Sequence, residues 1–292
     1  MFDRCLVAIV TPMHADGSVD FQAWARLLDL QRANGTAGVV VGGTTGESAT
    51  LTDEELNELT TRACAQLRGQ VAVIAGAGSS STAATAARVR WLSDLPIDGL
   101  LLVTPAYNRP PQEGLYRHFA ASAAVARRPI VLYNVPARTA VDMKPATVAR
   151  LAQLSGIVGI KEAVPEAARV RELVESCPPR FVVLSGDDAT ARDAIAAGAR
   201  GVISVTANVA PAAMSEMVAA ALRQDAVRAA QLDASLNTLH RELFVETNPI
   251  PVKWLLAEMG LIGTGVRLPL TPLAPGHHAS VRAAARAAGV LS

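Results

Sequence analysis

Lys161 lies in the stretch SGIVGIKEAV, residues 155–164, where an apolar run gives way to an amine and a carboxylate. The chain holds three lysines, Lys144, Lys161 and Lys253, against 24 arginines. Surface positive charge is therefore carried almost entirely by guanidinium groups. A lysine kept in such a chain can do what an arginine cannot, because its amine can deprotonate and attack a carbonyl. Burial favours that neutral form. The imine so made forms and breaks through proton transfers, which a tyrosine hydroxyl can relay. Two of the three tyrosines, Tyr107 and Tyr133, also follow apolar runs, in TPAYNRP and VLYNVPART. The turn GGTTGES, residues 42–48, offers backbone N–H groups and two hydroxyls to a carboxylate. Arg138 can clamp a second carboxylate with two hydrogen bonds.

Each of these residues also has a plainer use. A lysine after an apolar run fits a strand-end charge reaching solvent. Tyr107 and Tyr133 fit core rings with satisfied hydroxyls, and Arg138 fits a solvated loop charge. The GTTGES segment fits a simple turn, and without the GKS or GKT of a P-loop it argues against nucleotide binding. Asp187 and Asp188 resemble metal ligands but suit the start of a helix, so no metal is expected. The five histidines show no ligand spacing, and His277 and His278 are expected to be solvated. Residue types alone leave these alternatives open, and placement has to decide among them.

The elements that would do the placing are legible as an alternation. Short apolar runs at Leu6–Thr11, Gly38–Gly42, Val71–Gly76, Gly99–Thr104, Pro129–Asn134, Ile157–Lys161, Phe181–Ser185 and Gly201–Val205 predict eight strands. They are continuously apolar rather than alternating, as strands buried on both faces of a parallel sheet must be. Helical segments fall between them. Phe21, Trp24, Leu27 and Leu28 make one stripe that stops at Gly35. Thr52 and Glu55 form a capping box. DDATARDAIAAGARG opens on acidic residues and closes at Gly198. Eight such units predict an α/β TIM barrel, whose catalytic groups sit at the C-terminal ends of the strands. Residues 1–224 are assigned to the barrel and 225–292 to a small C-terminal helical region.

Composition narrows the partners. With 292 residues, 50% hydrophobic and a net charge of +1, the chain has no electrostatic footprint for nucleic acid or an anionic membrane. No apolar run is long enough to span a bilayer. Cys5, Cys64 and Cys177 are widely spaced and odd in number, which suits a reducing, cytoplasmic setting.

The motifs GTTGESATL, TPAYNRPPQEGLYRHF, VLYNVPART, GIKEA, SGDDA and GVISVTANVAP are long and jointly specific. In them, and across nearly the whole chain, the sequence resembles the dihydrodipicolinate synthase family of pyruvate-dependent class I aldolases. The resemblance implies that Lys161 forms a Schiff base with pyruvate and that Tyr133, Thr44 and Tyr107 relay protons, Tyr107 serving a neighbouring subunit. It implies that Thr45 holds the pyruvate carboxylate, that Arg138 guides the carboxylate of aspartate semialdehyde, and that Gly186 and Ile203 line the pocket. The enzyme would need no metal or organic cofactor and would be at least a dimer, with a tetramer expected. Ser48 and Ala49 fit the effector pocket of lysine-inhibited relatives. Leu56, Ser80, Ala84 and Ala106 stand where those relatives carry His, Asn, Glu and Tyr, so feedback inhibition by lysine is expected to be weak or absent. The competing readings are another aldolase of the group, such as N-acetylneuraminate lyase or a 2-keto-3-deoxy sugar acid aldolase, and a non-catalytic barrel that binds a keto acid. Arg138 in the PART segment favours the semialdehyde.

Overall fold

The computed structural model describes residues 2–291. Eight parallel strands close into a barrel in chain order: β1 (Arg4–Ala8), β2 (Gly38–Val41), β3 (Ala72–Gly76), β4 (Gly99–Val103), β5 (Ile130–Asn134), β6 (Ile157–Glu162), β7 (Val182–Ser185) and β8 (Gly201–Ser204). Around them run α1 (Phe21–Ala33), α2 (Asp53–Leu67), α3 (Thr82–Leu92), α4 (Gln112–Ala123), the one-turn α5 (Pro136–Thr139), α6 (Pro145–Leu151), α7 (Ala167–Ser176), α8 (Ala191–Ala196) and α9 (Pro211–Leu222). Three more helices follow, α10 (Ala226–Glu242), α11 (Ile250–Glu258) and α12 (Pro275–Ala287). This is the TIM barrel that the alternation of runs predicts.

The continuous apolar runs are explained by two separate cores. Leu6, Val40, Ile74, Leu101, Val131, Leu184 and Ile203 fill the barrel interior. Their neighbours along the strands pack outward against the helices. The helix signals also hold. Asp20 accepts from the N–H groups of Gln22 and Ala23 at the start of α1, and Gly35 takes a positive φ just past its end. Thr52 and Glu55 form the reciprocal capping box of α2.

Three expectations need correction. The first strand is expected to run to Thr11, but β1 ends at Ala8: the N–H of Ile9 makes the last bond to β2, at the carbonyl of Val40, and the N–H of Val10 donates instead to Asn208 Oδ1. Asp187 and Asp188 do not open a helix, since α8 begins only at Ala191. Asp187 accepts from the N–H and hydroxyl of Thr190, while Asp188 Oδ2 accepts from the N–H groups of Val205 and Thr206. Asp188 thus brackets the end of β7 to the end of β8. His278 is only partly solvated: half-buried, it stacks on Trp254 at 4.6 Å and bonds the carbonyl of Leu273. Among the described residues, no helix is long and apolar enough to cross a membrane.

Candidate active site

Lys161 lies on β6 in register with Tyr133 on β5, and the next rung pairs Glu162 with Asn134. Side chains alternate across a strand, so Lys161 and Tyr133 enter the barrel mouth while Glu162 and Asn134 face the helical layer. Lys161 is 5% exposed, and its Nζ sits 4.5 Å from the centroid of the Tyr133 ring. Both line a cavity of about 370 Å³ at the C-terminal end of the barrel, together with Thr44, Thr45, Arg138 and Gly186. A buried primary amine over a phenol, at the floor of a cavity this size, can form an imine with a small keto acid and exchange protons with it.

The turn after β2 is closed by its own backbone. The N–H groups of Gly46 and Ser48 donate to the carbonyl of Gly43, and that of Glu47 donates to Thr44. The N–H groups of Thr44 and Thr45 take no part in these bonds. They remain as donors beside the cavity, where a carboxylate could accept them. Across the cavity, α5 carries Arg138 and ends at Ala140 in the left-handed region, with φ 58°. Arg138 donates to the carbonyl of Asn248 at 3.2 Å and keeps further N–H groups for a ligand. Gly186 is required by space: a Cβ there would lie 2.9 Å from that of Ala163.

Ile203, Tyr107 and the effector residues stand outside this cavity. Ile203 is buried in the barrel interior below the cavity, and Val205 lines the wall from that part of the chain. Tyr107 does not enter the cavity of its own chain. It is 95% exposed with φ 73°, on a loop braced by bonds between Ser80 and Ala106 and between Asn108 and Ser80. The effector residues are only partly gathered. Ser48 and Leu56 line a small cavity of about 40 Å³ with Arg88, and no carboxylate is in its wall. Ser48 and Ala49 line a second hollow, Ser80 bonds Ala106, and Ala84 is exposed.

The sequence reading missed the contribution of the C-terminal region. Phe244, Thr247 and Asn248 line the main cavity. Asn248 Nδ2 donates to Thr45 Oγ1 at 3.0 Å, and its Oδ1 is buried without a partner, an acceptor available to a bound substrate. The only local signal was NPIP, which reads as a chain break.

Behind the lysine lies a buried polar network. Asn134 Nδ2 donates to both oxygens of Glu162 and to Asp142, while its Oδ1 accepts from the N–H of Met143. Burial pushes the Glu162 carboxyl up to about 7, against the N–H of Val164, the Asn134 amide and Arg169, which favour its charge. Burial also acts on Asp142, but bonds from Arg169, Lys144 and Asn134 outweigh it and bring that carboxyl to about 2. The three cysteines are buried and free, and burial raises all three thiols, Cys5 to about 12.

The model of the dihydrodipicolinate synthetase family matches residues 1–288. The chain belongs to this family. It is 52% identical to the 4-hydroxy-tetrahydrodipicolinate synthase of Alkalilimnicola ehrlichii, over all of both chains. It is 50% identical to that of Thioalkalivibrio sulfidiphilus, over 99% of each. Among solved structures, it superposes on the chloride-inhibited dihydrodipicolinate synthase of Acinetobacter baumannii, complexed with pyruvate, with a TM-score of 0.98 and 45% identity over the whole of both chains.

Proposed function

We propose that this enzyme condenses pyruvate with L-aspartate 4-semialdehyde to give 4-hydroxy-tetrahydrodipicolinate, through an imine on Lys161. The observation that carries the reading is the buried Lys161–Tyr133 rung, with carboxylate donors on either side of one cavity, in a chain of this family. The Lys161 amine adds to the pyruvate ketone, and water leaves to form the imine. The protonated imine draws electrons from the methyl carbon, which loses a proton to give an enamine. That carbon attacks the aldehyde. The substrate's own amine then adds to the imine carbon and displaces Lys161, which closes the ring and restores the free enzyme. Splitting the reaction in this way replaces an unassisted enolisation with easier steps.

Tyr133 and Thr44 carry protons in these steps, Thr45 and the adjacent backbone hold the pyruvate carboxylate, and Arg138 takes that of the semialdehyde. Tyr107 completes the relay in a neighbouring subunit, so the enzyme is at least a dimer, and a tetramer is the arrangement we favour. An exposed ring on a braced loop supports this role. The reaction as written needs no metal or organic cofactor, and free, unreactive thiols suit a cytoplasmic setting.

The test is a coupled assay with dipicolinate reductase. Turnover with pyruvate and aspartate semialdehyde, and none with N-acetylneuraminate or 2-keto-3-deoxy sugar acids, is the expected result. Cleavage of a sugar acid without turnover of the semialdehyde would assign the site to another aldolase.

A further inference from the structure

Of the three lysines, Lys144 is exposed beside Asp142, Lys161 faces the cavity, and Lys253 is buried outside the proposed chemistry. Lys253 lies on α11 and is 2% exposed. Its Nζ forms an ion pair with Oε1 of Glu47, itself 3% exposed. Glu47 Oε2 accepts in addition from the N–H of Arg267. Burial lowers the Lys253 pKa, and the Glu47 carboxylate opposes that shift.

Such a pair is a poor way to gain stability alone. Desolvating two charges costs about as much as their attraction returns. The sites it joins suggest what else it does. Glu47 sits two residues after Thr45, in the turn after β2, and it is a non-glycine residue with φ 57°. A conformation like that persists only where its surroundings over-determine it. Lys253 sits five residues after Asn248, whose side chain bonds Thr45 and whose carbonyl accepts from Arg138. Thr45 and Arg138, the groups assigned to the two substrate carboxylates, therefore both hang on Asn248. The Glu47–Lys253 pair joins the same two segments a second time.

We propose that Lys253 is a positioning residue: through Glu47 it locks α11 to the turn after β2 and so sets the spacing of the two carboxylate sites. This rests on the reading of the cavity given above. Lys253 touches neither substrate, so its loss acts on binding more than on the chemical step.

The test compares Lys253→Met with the double variant Lys253→Met/Glu47→Gln. The single change leaves Glu47 charged, buried and unpaired, and lowers Tm. The double change removes both charges and recovers most of that loss. In the folded double variant, KM for pyruvate and for aspartate semialdehyde rises about 10-fold or more, kcat changes less than about 3-fold, and borohydride still traps pyruvate on Lys161. KM values within about 2-fold of wild type in that variant overturn the proposal and leave the pair a stability element. Should the double variant not fold, Glu47→Asp decides. It keeps both charges but withdraws the carboxylate by one methylene, and the same rise in KM is expected. Unchanged KM there also overturns the proposal. Failure of wild-type protein to trap pyruvate on Lys161 overturns the reading of the cavity, and this inference with it.

Discussion

At the scale of single residues, the same side chain serves two ends. Lys161 and Lys253 are both buried amines, but one has a cavity and a phenol before it and the other a carboxylate. The first has room to act as a nucleophile, and the second is occupied by its carboxylate partner. Replacing Tyr133 by Phe keeps the ring beneath the amine and removes only the hydroxyl. We expect kcat to fall by about 10²–10⁴-fold, the usual contribution of one proton-transfer group, with KM for pyruvate nearly unchanged. Steady-state kinetics check this, and a kcat within about 3-fold of wild type contradicts the relay. Lys161 was legible from its rarity and its place at a strand end. Asn248 was not, because its use depends on Thr45 and Arg138, which lie 203 and 110 residues away in the chain. Neither periodicity nor motif spacing encodes such a contact.

Among the elements, the β5–β6 pair matters most, since its register puts Tyr133 beside Lys161. The next rung is joined on the outer face by Asn134 and Glu162. Burial holds Glu162 up to about 7, so between roughly pH 4.5 and 7 the folded protein binds a proton that the unfolded chain has released. The stability this group contributes is complete below the unfolded pKa and is lost as pH rises through 7. Glu162→Gln removes the titration. Thermal melts from pH 5 to 8 should show wild type losing Tm relative to the variant as pH rises, and parallel curves would refute the assignment. Asp142 behaves in the opposite sense. Its stabilisation is present above the ordinary carboxylate pKa and disappears as pH falls towards 2. The strands were legible because burial on both faces forces continuous apolar runs. The work of Asp188 was not, because an acidic residue before a helix looks like a cap, whereas its acceptors here serve the N–H groups of Val205 and Thr206.

For the whole molecule, the exposed Tyr107 predicts shared sites. If the ring serves a neighbour, Lys161→Ala and Tyr107→Ala chains are each impaired alone, yet a mixed dimer contains one intact site. Unfolding and refolding an equal mixture should restore about a quarter of wild-type activity, from random pairing in a two-fold dimer. Activity no higher than that of the separate variants would place Tyr107 outside the relay. Regulation belongs to this scale too. Leu56 and Arg88 line the hollow beside Ser48, and no carboxylate is there to receive an ammonium. We expect lysine at low millimolar concentration to leave the initial rate essentially unchanged, and strong inhibition would show that another surface binds it. The barrel and its C-terminal helices could be read from the sequence as a series of units. How the segment leading into α11 returns to complete the cavity could not, because that return rests on the buried Glu47–Lys253 pair and on Asn248, contacts between segments about 200 residues apart.

The central claim is that Lys161 carries pyruvate as an imine. Incubating the protein with pyruvate, reducing it with sodium borohydride and mapping the modified peptide by mass spectrometry tests this directly. Stable labelling of Lys161 and of no other lysine is the predicted result. Absence of label on folded protein, or label on Lys253 or Lys144 in its place, would contradict the account.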